Sequence, residues 1–456
     1  MANKREELLK VNMQDIVLVK PSKPTPSSIV SLSTIDNRPE LCINNLCQTI
    51  HIFQSPNNIT QKDPALVIKE ALSEALFYYY PLAGRLVKHA DGKLGIHCNA
   101  YGVPFVEAAA NCKLSSLHYL DGSDRENAKY FAVDVPPKEK DHENGNQYPL
   151  MIKVTKFLCG GFTIGLCTSH AVFDGNGASQ FFQALAEFAS GKSEPSVKPV
   201  WERERLNGSI TEHPLQSPLE NVLDAVSPYS STTALVHECF KVDIESIKRL
   251  KLSLKNQVSE GESFTSFEAL GAYVWRSRTR ALKLNSHGKT TLAIMVGLRK
   301  NHSFIPPVPE GYYGNAFVDP KVVLTVKELN EKPLSHVVKM IKEAKKLGFS
   351  KEYIRNVIDT LETKKEDPFY YEGVGASMVL TSWLHLGMLE NMDLGWAKVV
   401  NMVPAPCNTF GTAGMCVFSD PSDLDPSMKG GVRIFVSLPS DAMPKFKEEM
   451  EALKLA

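Results

Sequence analysis

The sequence lacks the features that mark nucleic-acid-binding, membrane-spanning and disulfide-stabilised proteins. Lys and Arg together number 51, and so do Asp and Glu, so no overall charge attracts nucleic acid or an anionic membrane. No stretch approaches the roughly 18 apolar residues of a membrane-spanning helix. The nine cysteines form no CxxC pair, a pattern typical of reduced thiols. We therefore expect neither nucleic-acid binding nor membrane insertion.

The first twenty residues also lack a targeting signal. They contain no apolar run like that of a signal peptide, and they carry Glu6, Glu7 and Asp15, which transit peptides usually avoid. We therefore predict a cytoplasmic protein. The composition that is present, 43% hydrophobic and 22% charged, is that of an ordinary globular protein with a sizeable core.

The order of the predicted elements indicates an α/β protein with two halves of similar size. Two alternating apolar runs, 150–157 and 162–169, are joined by a turn containing Gly160 and Gly161, which is typical of a β-hairpin. Asp63 and Pro64 mark the start of one helix, and a second is expected to begin near Gly177. Further strands are predicted at 41–53, 291–297, 378–386, 414–418 and 432–438, and further helices at 263–282, 334–347, 351–361 and 443–453.

The stretch 190–218 is polar and rich in proline and glycine, as linkers are. We therefore predict an N-terminal domain at 1–195, a crossover linker at 196–218 and a C-terminal domain at 219–456.

The sharpest local signal for chemistry lies between the second hairpin strand and the next helix. It is Thr168-Ser169-His170-Ala-Val-Phe-Asp174-Gly175. A strand end is a stiff platform, and the glycines after Asp174 allow the backbone to turn tightly. With a reference pKa of about 6.5, a histidine there is suited to taking a proton from a hydroxyl near pH 7. Without other motifs, an HxxxD pattern more often marks a histidine hydrogen-bonded at a strand end.

Metal, serine-hydrolase and dinucleotide chemistry fit the sequence less well. It contains no HExxH motif and no paired Cys/His cluster. Around Ser377 the GxSxG pattern fails, because Val379 stands at the last position. In the loop that begins at Gly175, Gln180 replaces the third glycine of a dinucleotide fingerprint. We therefore predict no metal and no cofactor.

Four more segments accompany His170 in a fixed order. They are Tyr80-Pro-Leu-Ala-Gly-Arg-Leu86, the run from Ser266 to Arg276, the run from Arg299 to Gly311-Tyr-Tyr-Gly-Asn315, and Asp393-Leu-Gly-Trp396-Ala397. Together they resemble the motifs of the BAHD acyltransferases, a plant family that acylates alcohols and amines with acyl-CoA donors. His170–Gly175 matches its HxxxDG motif, and the segment at Asp393 matches its DFGWG motif except for Leu394 and Ala397. The matches extend from about residue 31 to 453.

The resemblance implies a fold like that of chloramphenicol acetyltransferase. Two related mixed-sheet domains, each with flanking helices, would enclose an active-site channel, with His170 at its middle. Acyl-CoA would enter from one face as a co-substrate and the acceptor from the other, in a monomer.

The resemblance also implies roles for individual residues. His170 would be the general base, and the loop of Asp393 and Trp396 would be structural. Asp174 has two interpretations: its spacing suggests the orienting member of a catalytic triad, whereas the family pairs it with an arginine, here Arg299. Thr381 and Trp383 are candidates for contacting the oxyanion or the acceptor. Ser263 and Thr265, which directly precede a helix, are candidates for lying near CoA.

We therefore predict an O-acyltransferase that esterifies a hydroxyl of a small specialised metabolite, such as an alkaloid, a terpenoid or an aromatic or aliphatic alcohol. The alternatives are N-acyl transfer to an amine or polyamine, and a non-catalytic small-molecule-binding homologue. Transfer is expected to be direct, because strand alternation places Cys167 and Ser169 on the face opposite His170.

Overall fold

The computed structural model describes residues 9–38, 46–54, 62–122, 126–134, 147–215, 225–229, 234–257, 261–301, 307–364, 375–406 and 414–455. Parts of two predicted elements, 41–45 of a strand and 216–218 of the linker, lie outside these residues. The strands in chain order are β1 (Val11–Met13), β2 (Val17–Val19), β3 (Ser28–Ser31), β4 (Leu46–Phe53), β5 (Arg85–Lys88), β6 (Leu94–Cys98), β7 (Val103–Ala110), β8 (Leu150–Lys156), β9 (Phe162–Ser169), β10 (Leu235–Val242), β11 (Lys289–Ile294), β12 (Val296–Gly297), β13 (Phe317–Val318), β14 (Lys321–Thr325), β15 (Ser377–Ser382), β16 (Val399–Pro404), β17 (Gly414–Ser419) and β18 (Val432–Pro439).

The α-helices show the apolar spacing from which most of them were predicted. They are α1 (Pro64–Tyr78), α2 (Gly175–Ala189), α3 (Ile244–Lys255), α4 (Ser266–Ala281), α5 (Val326–Glu331), α6 (Leu334–Leu347), α7 (Lys351–Lys364) and α8 (Met443–Leu455). Asp63 caps α1 by accepting a hydrogen bond from the backbone N–H of Ala65, 2.9 Å away. Leu66, which the helical pattern assigns to the buried face, is 49% exposed instead.

The chain divides into two compact units, each built on a mixed sheet. The first contains residues 1–204, 310–315 and 386–405, and the second contains 205–309, 316–385 and 406–456. The main sheet of the first has the order β1-β7-β8-β9-β4-β16, with β2 also paired to β7, and β3-β6-β5 form a small separate sheet. The six-stranded sheet of the second has the order β10-β18-β17-β15-β11-β14, and β12-β13 form a separate pair. The predicted mixed α/β fold with two sheet domains is confirmed.

The predicted hairpin is formed by β8 and β9, which lie at the centre of the first sheet. Strand β4 pairs with β9, so that His51 is opposite Ile164 and Phe53 is opposite Phe162, whose ring stacks on it at 4.6 Å. Residues opposite each other on paired strands share a face of the sheet. His51 contacts Phe182 of α2 at 5.1 Å between ring centroids, so this face carries the helix.

In the second unit, α4 packs on its sheet through a glycine. A Cβ at Gly271 would lie 2.7 Å from Cδ2 of Leu380 in β15, so a larger residue would require the Leu380 side chain to move. Trp275, fully buried on the same helix, donates a hydrogen bond to the Thr290 hydroxyl at 3.1 Å. The helix predicted at 263–282 is α4, whereas the strand predicted at 291–297 is divided between β11 of the main sheet and β12 of the separate pair.

The division into units differs from the predicted boundaries in three places: residues 310–315 and 386–405 belong to the first unit instead of the C-terminal domain, and the predicted linker is divided between the units. Residues 386–405 belong to the first unit, because β16 pairs with β4 and the Ser179 hydroxyl of α2 donates to the Leu386 carbonyl. The predicted linker contains Arg203 and Leu206, both buried, so it is not a solvated tether. The composition of a short segment does not reveal which distant strand it pairs with, or whether its side chains are buried. The strand predicted at 378–386 also ends earlier, at Ser382.

Within the described ranges, none of the helices has both the length and the apolar character needed to span a membrane.

Candidate active site

His170 lies directly after β9 and five residues before α2. The residue as a whole is partly buried, whereas the four residues that follow, 171–174, are buried. Strand β9 is held on both sides, by β4 and by β8. The histidine therefore projects from the end of a strand that is fixed on both edges, where small displacements are resisted.

Asp174 begins α2. Its carboxylate accepts a hydrogen bond from the backbone N–H of Gly177 at 3.0 Å, which satisfies one of the free donors of the first helical turn. A Cβ at Gly177 would overlap the backbone carbonyl of Tyr313, so only glycine fits there. The structure thus gives Asp174 a helix-capping role that neither sequence-based interpretation included. Arg299 belongs to the second unit, and its pairing with Asp174 stays a prediction.

The surroundings of His170 favour its neutral form. Burial lowers the pKa of His170 below 6.5, and Arg38 lowers it further. Its own backbone, the charge of Asp174 and the Asn315 side chain act in the opposite direction. An imidazole that is neutral at pH 7 has one unprotonated ring nitrogen, which can accept a proton.

A buried network supports the backbone of the histidine loop. Asp36 accepts hydrogen bonds from Asn315, through the backbone N–H at 2.9 Å and Nδ2 at 2.8 Å, and from the Arg203 guanidinium at 2.8 Å. Asn315 Nδ2 also donates to the His170 carbonyl, and Arg203 donates to the Val172 carbonyl, each at 2.8 Å. One carboxylate therefore anchors two side chains that hold the loop.

Arg203 is further enclosed by aromatic rings. Its guanidinium lies 4.2 Å from the ring centroid of Trp201 and 5.0 Å from that of Tyr313. Although burial opposes it, the Asp36 carboxylate raises the pKa of Arg203 above its usual value. Sequence inspection missed Asp36 and Arg203. The local sequence signal for Asp36 is the Ser-x-x-Asp pattern from Ser33 to Asp36, which is typical of a turn. The Ser33 backbone N–H and hydroxyl both donate hydrogen bonds to Asp36.

The two alternative nucleophiles are poorly placed for covalent chemistry. Cys167 is fully buried, and burial raises the pKa of its thiol to about 12. Because the thiolate is the reactive form, Cys167 is unreactive near neutral pH. Ser169 is also buried, one residue before His170.

The loop of Asp393 and Trp396 lies far from His170 along β9. The Trp396 indole donates to the Ala189 carbonyl at the end of α2 and stacks on Phe162 at 5.5 Å. Phe162 begins the strand that ends at Ser169, so about 23 Å separates them at ~3.3 Å per residue. Asp393 accepts from the N–H of Gly395, whose φ of +71° favours glycine. The loop fastens the start of β9 to the end of α2, at the end of the strand away from His170.

The remaining predicted site residues belong to the second unit. Thr265 caps α4 in a capping box with Glu268, which also forms an ion pair with Lys345. Lys342 donates to the Ser263 carbonyl at 3.0 Å. The structure thus adds two α6 lysines, unnoticed in the sequence, beside the segment predicted to lie near CoA.

Thr381 and Trp383 lie at and just beyond the end of β15, both partly buried. The Trp383 backbone N–H donates to the Phe418 carbonyl of β17 at 2.7 Å. Their part in binding the oxyanion or the acceptor stays a prediction.

The family model described as the Transferase family matches residues 9–453. The chain belongs to the BAHD acyltransferase family. It is an acyl-CoA-dependent acyltransferase, as predicted. The predictions that this BAHD enzyme is cytoplasmic, monomeric and free of metals and cofactors remain predictions.

Similar proteins span nearly the whole BAHD chain. The spermidine coumaroyl-CoA acyltransferase of Arabidopsis thaliana is 42% identical, covering 100% of this chain and 98% of the relative. The spermidine sinapoyl-CoA acyltransferase of the same plant is 41% identical, covering 96% of each. Its omega-hydroxypalmitate O-feruloyl transferase is 33% identical, covering 97% of this chain and 93% of the relative. The crystal structure of vinorine synthase has the same fold, with a TM-score of 0.72 at 23% identity over 97% and 98% of the two chains.

Proposed function

We propose that this enzyme transfers a hydroxycinnamoyl group from coenzyme A to an amino group of a polyamine such as spermidine. The observation that carries the proposal is the difference in identity: 42% and 41% to two spermidine acyltransferases, against 33% to an ester-forming relative. Family motifs do not separate the two acceptors, because both reactions need the same base and the same donor. The relatives favour the amine, the alternative in the sequence analysis, over the hydroxyl predicted first.

In the proposed reaction His170 is the general base. The acceptor nitrogen attacks the thioester carbonyl carbon, and a C–N bond forms as the carbonyl becomes a tetrahedral oxyanion. His170 takes the proton lost by the nitrogen, the C–S bond breaks, and the same proton passes to the departing CoA sulfur. The placement of His170 at the end of a strand and its lowered pKa support this role.

A polyamine acceptor imposes a requirement that an alcohol does not. An alkylamine has a pKa near that of lysine, about 10, so it is mostly protonated at pH 7 and must lose a proton before it attacks. The rate with an amine should therefore keep rising above neutral pH, well beyond the pKa of His170. With an alcohol, the rate should level off once His170 is neutral.

The test is a donor-by-acceptor panel with the purified protein. Coumaroyl-, sinapoyl-, acetyl-, benzoyl- and tigloyl-CoA are each combined with spermidine, omega-hydroxypalmitate and benzyl alcohol, and the products are identified by mass spectrometry. We expect amides of spermidine with the two hydroxycinnamoyl donors. Amides survive mild alkali and esters do not, so the linkage is read directly.

Each contrary result identifies an alternative. Alkali-labile products with the alcohols and none with spermidine would overturn the amine proposal in favour of ester formation. Absence of free CoA thiol with every pair, from protein of normal thermal stability, would support a non-catalytic binding protein. His170→Ala is the control for background acylation of the amine in solution.

A further inference from the structure

Cys112 and Cys159 lie beside each other at one end of the first sheet. Cys112 follows the end of β7, and Cys159 lies in the turn that joins β8 to β9. Strands β7 and β8 are parallel neighbours in which Ala109 is opposite Lys156, and each cysteine lies three residues further along the chain. The Leu158 backbone N–H donates to the Cys112 carbonyl at 3.0 Å, so the two segments remain in contact beyond the strands.

The turn holds Cys159 at the surface. The Gly160 N–H donates to the Phe157 carbonyl and the Phe157 N–H donates to the Gly161 carbonyl, each at 3.0 Å. Leu158, within this turn, is 69% exposed. Both cysteines are free thiols that are only partly buried. An oxidant in solution can therefore meet Cys159 in the folded protein.

We propose that Cys112 and Cys159 are a site of reversible oxidation, at which a small disulfide such as glutathione disulfide produces an intramolecular bridge. Disulfides join cysteines whose Cα atoms are roughly 4.4–6.8 Å apart, a range that includes the spacing of about 4.8 Å between neighbouring strands. The pairing of β7 with β8 brings the two segments together at that spacing. The bridge would fasten the hairpin turn to the end of β7.

The two thiols also differ in their readiness to react. Burial raises the pKa of Cys112, the Ser116 hydroxyl lowers it, and charge on Cys159 raises it. Cys112 is therefore mostly a neutral thiol near pH 7 and a poor first nucleophile, because the thiolate is the reactive form. Cys159, in the exposed turn, is the residue that attacks the oxidant.

The exchange proceeds in two balanced steps. The Cys159 thiolate attacks one sulfur of glutathione disulfide, whose S–S bond breaks as a mixed disulfide forms and the first glutathione leaves as a thiolate. Cys112 then loses its proton and attacks the Cys159 sulfur, which releases the second glutathione. The two departing thiolates take up the two protons that the cysteines gave up. Two protein thiols are oxidised, and one glutathione disulfide is reduced.

Cys47 and Cys167 also lie on adjacent strands, but the sheet keeps their thiols apart. Cys47 of β4 is opposite Thr168 of β9, whereas Cys167 is opposite Gln48. Because opposite residues share a face and successive residues alternate, the two thiols point to opposite faces of the sheet. A bridge between them would require β4 or β9 to be displaced. Cys47 is therefore a matched control.

Oxidation of the full-length enzyme with glutathione disulfide, followed by peptide mass spectrometry, tests the proposal. Trypsin cuts after Lys113 and Lys156, and chymotrypsin cuts after Phe105 and Phe162. The two cysteines therefore fall in separate short peptides that contain no other cysteine. We expect these two peptides to be linked, with a mass lower by two hydrogen atoms than the sum of the reduced peptides.

Serine variants assign the bridge. Cys112→Ser and Cys159→Ser should each abolish the linked pair, whereas Cys47→Ser should retain it. Glutathione should remain attached to Cys159 in the Cys112→Ser variant, because the residue that displaces it has been removed.

Thermal unfolding provides a second readout. The bridge closes a loop between residues 112 and 159, which are 47 positions apart, and so restricts the unfolded chain. The oxidised protein should therefore melt roughly 5–10 °C higher than the reduced protein. The increase should disappear with dithiothreitol and in both serine variants at the site, and persist in Cys47→Ser. We expect kcat to be unchanged, because the turn lies at the end of β9 away from His170.

Three results would overturn the proposal. They are linked peptides that contain other cysteines in equal yield, wild-type protein that carries only glutathione attached to Cys159, and folded protein in which both thiols stay reduced in excess glutathione disulfide. The bridge and the melting temperature are measured without an acceptor, so these results do not depend on the proposed function.

Discussion

His51 lies on β4 and His170 lies directly after the neighbouring strand β9, yet their surroundings differ. His51 is in the middle of β4, between Ile164 and Met402, and its Nε2 donates to the Met388 carbonyl at 3.1 Å. His170 lies beyond the end of β9, where no ladder fixes its backbone. Burial lowers the pKa of both, that of His51 to about 4.

The comparison shows that burial and a lowered pKa do not by themselves mark a base. Strand pairing fixes the His51 backbone, and its ring is fully enclosed and in contact with Phe182. The His170 backbone is fixed instead by Asn315, through a network that includes Asp36 and Arg203, and the residue is only partly buried. A catalytic histidine needs a ring that substrate can reach and a backbone that is held in place.

Replacing each histidine should separate the two roles most strongly. His170→Ala should lower kcat by about 10²–10⁴-fold, the usual cost of losing a general base, and leave the melting temperature nearly unchanged, because Asn315 bonds the backbone. His51→Gln should lower the melting temperature, with kcat within about threefold of wild type. Turnover assays and thermal unfolding measure both effects. Near-normal turnover by folded His170→Ala would eliminate the proposed base.

The Asp36–Arg203 pair should matter far more than an exposed pair of the same length. Asp36→Asn or Arg203→Met should each destabilise the protein by about 3–5 kcal/mol, because each leaves a buried partner uncompensated. Together they should cost much less than the sum of the single losses. Denaturant unfolding measures these differences.

The pair Lys248–Glu245 is the control, since it also spans 2.8 Å but its side chains are 63% and 64% exposed, against 2% and 0% for Arg203 and Asp36. Breaking it should cost about 0–1 kcal/mol. Additive losses at Asp36 and Arg203 would contradict a coupled buried pair.

His51 should make the fold sensitive to acid. Between pH 6.5 and about 4, the unfolded chain binds a proton at this residue and the folded chain does not, so the free energy of unfolding falls as pH falls through this window. The full effect is about 3 kcal/mol. In His51→Leu the pH dependence of stability should be weaker by about one proton. An unchanged slope would show that His51 is not the group responsible.

The smallest effects are expected at Ser169 and Cys167, which lie on β9 one and three residues before His170. Ser169→Ala and Cys167→Ala should each retain kcat within a few fold, because a thiol with a pKa of about 12 is not ionised and direct attack needs no acyl-enzyme. Initial-rate plots should intersect, as for a ternary complex. Parallel double-reciprocal lines, or a trapped acyl group on either residue, would refute direct transfer.

The part of the site that is contiguous in sequence could be predicted, and the part assembled from distant residues could not. Apolar alternation identified β8 and β9, and the HxxxDG motif identified the turn after them. Asp36 is 167 residues from Arg203 and 279 from Asn315. No local sequence pattern predicts a contact between residues so far apart in the chain. Arg203 lies in a stretch whose polar composition predicted a linker. The same limit applies to β16, whose pairing with β4 determines the unit to which residues 386–405 belong.

The sequence by itself determined the family, the fold class and the position of His170, because periodicity, turn residues and short motifs are written in neighbouring residues. Only the tertiary structure decided how the histidine is held. Asp174 proved to cap α2, since its carboxylate lies at the free N–H groups of the first turn. The His170 loop is held by Asp36, Arg203 and Asn315. These three side chains are distant in sequence, and they form one hydrogen-bonded network because the fold buries them next to each other.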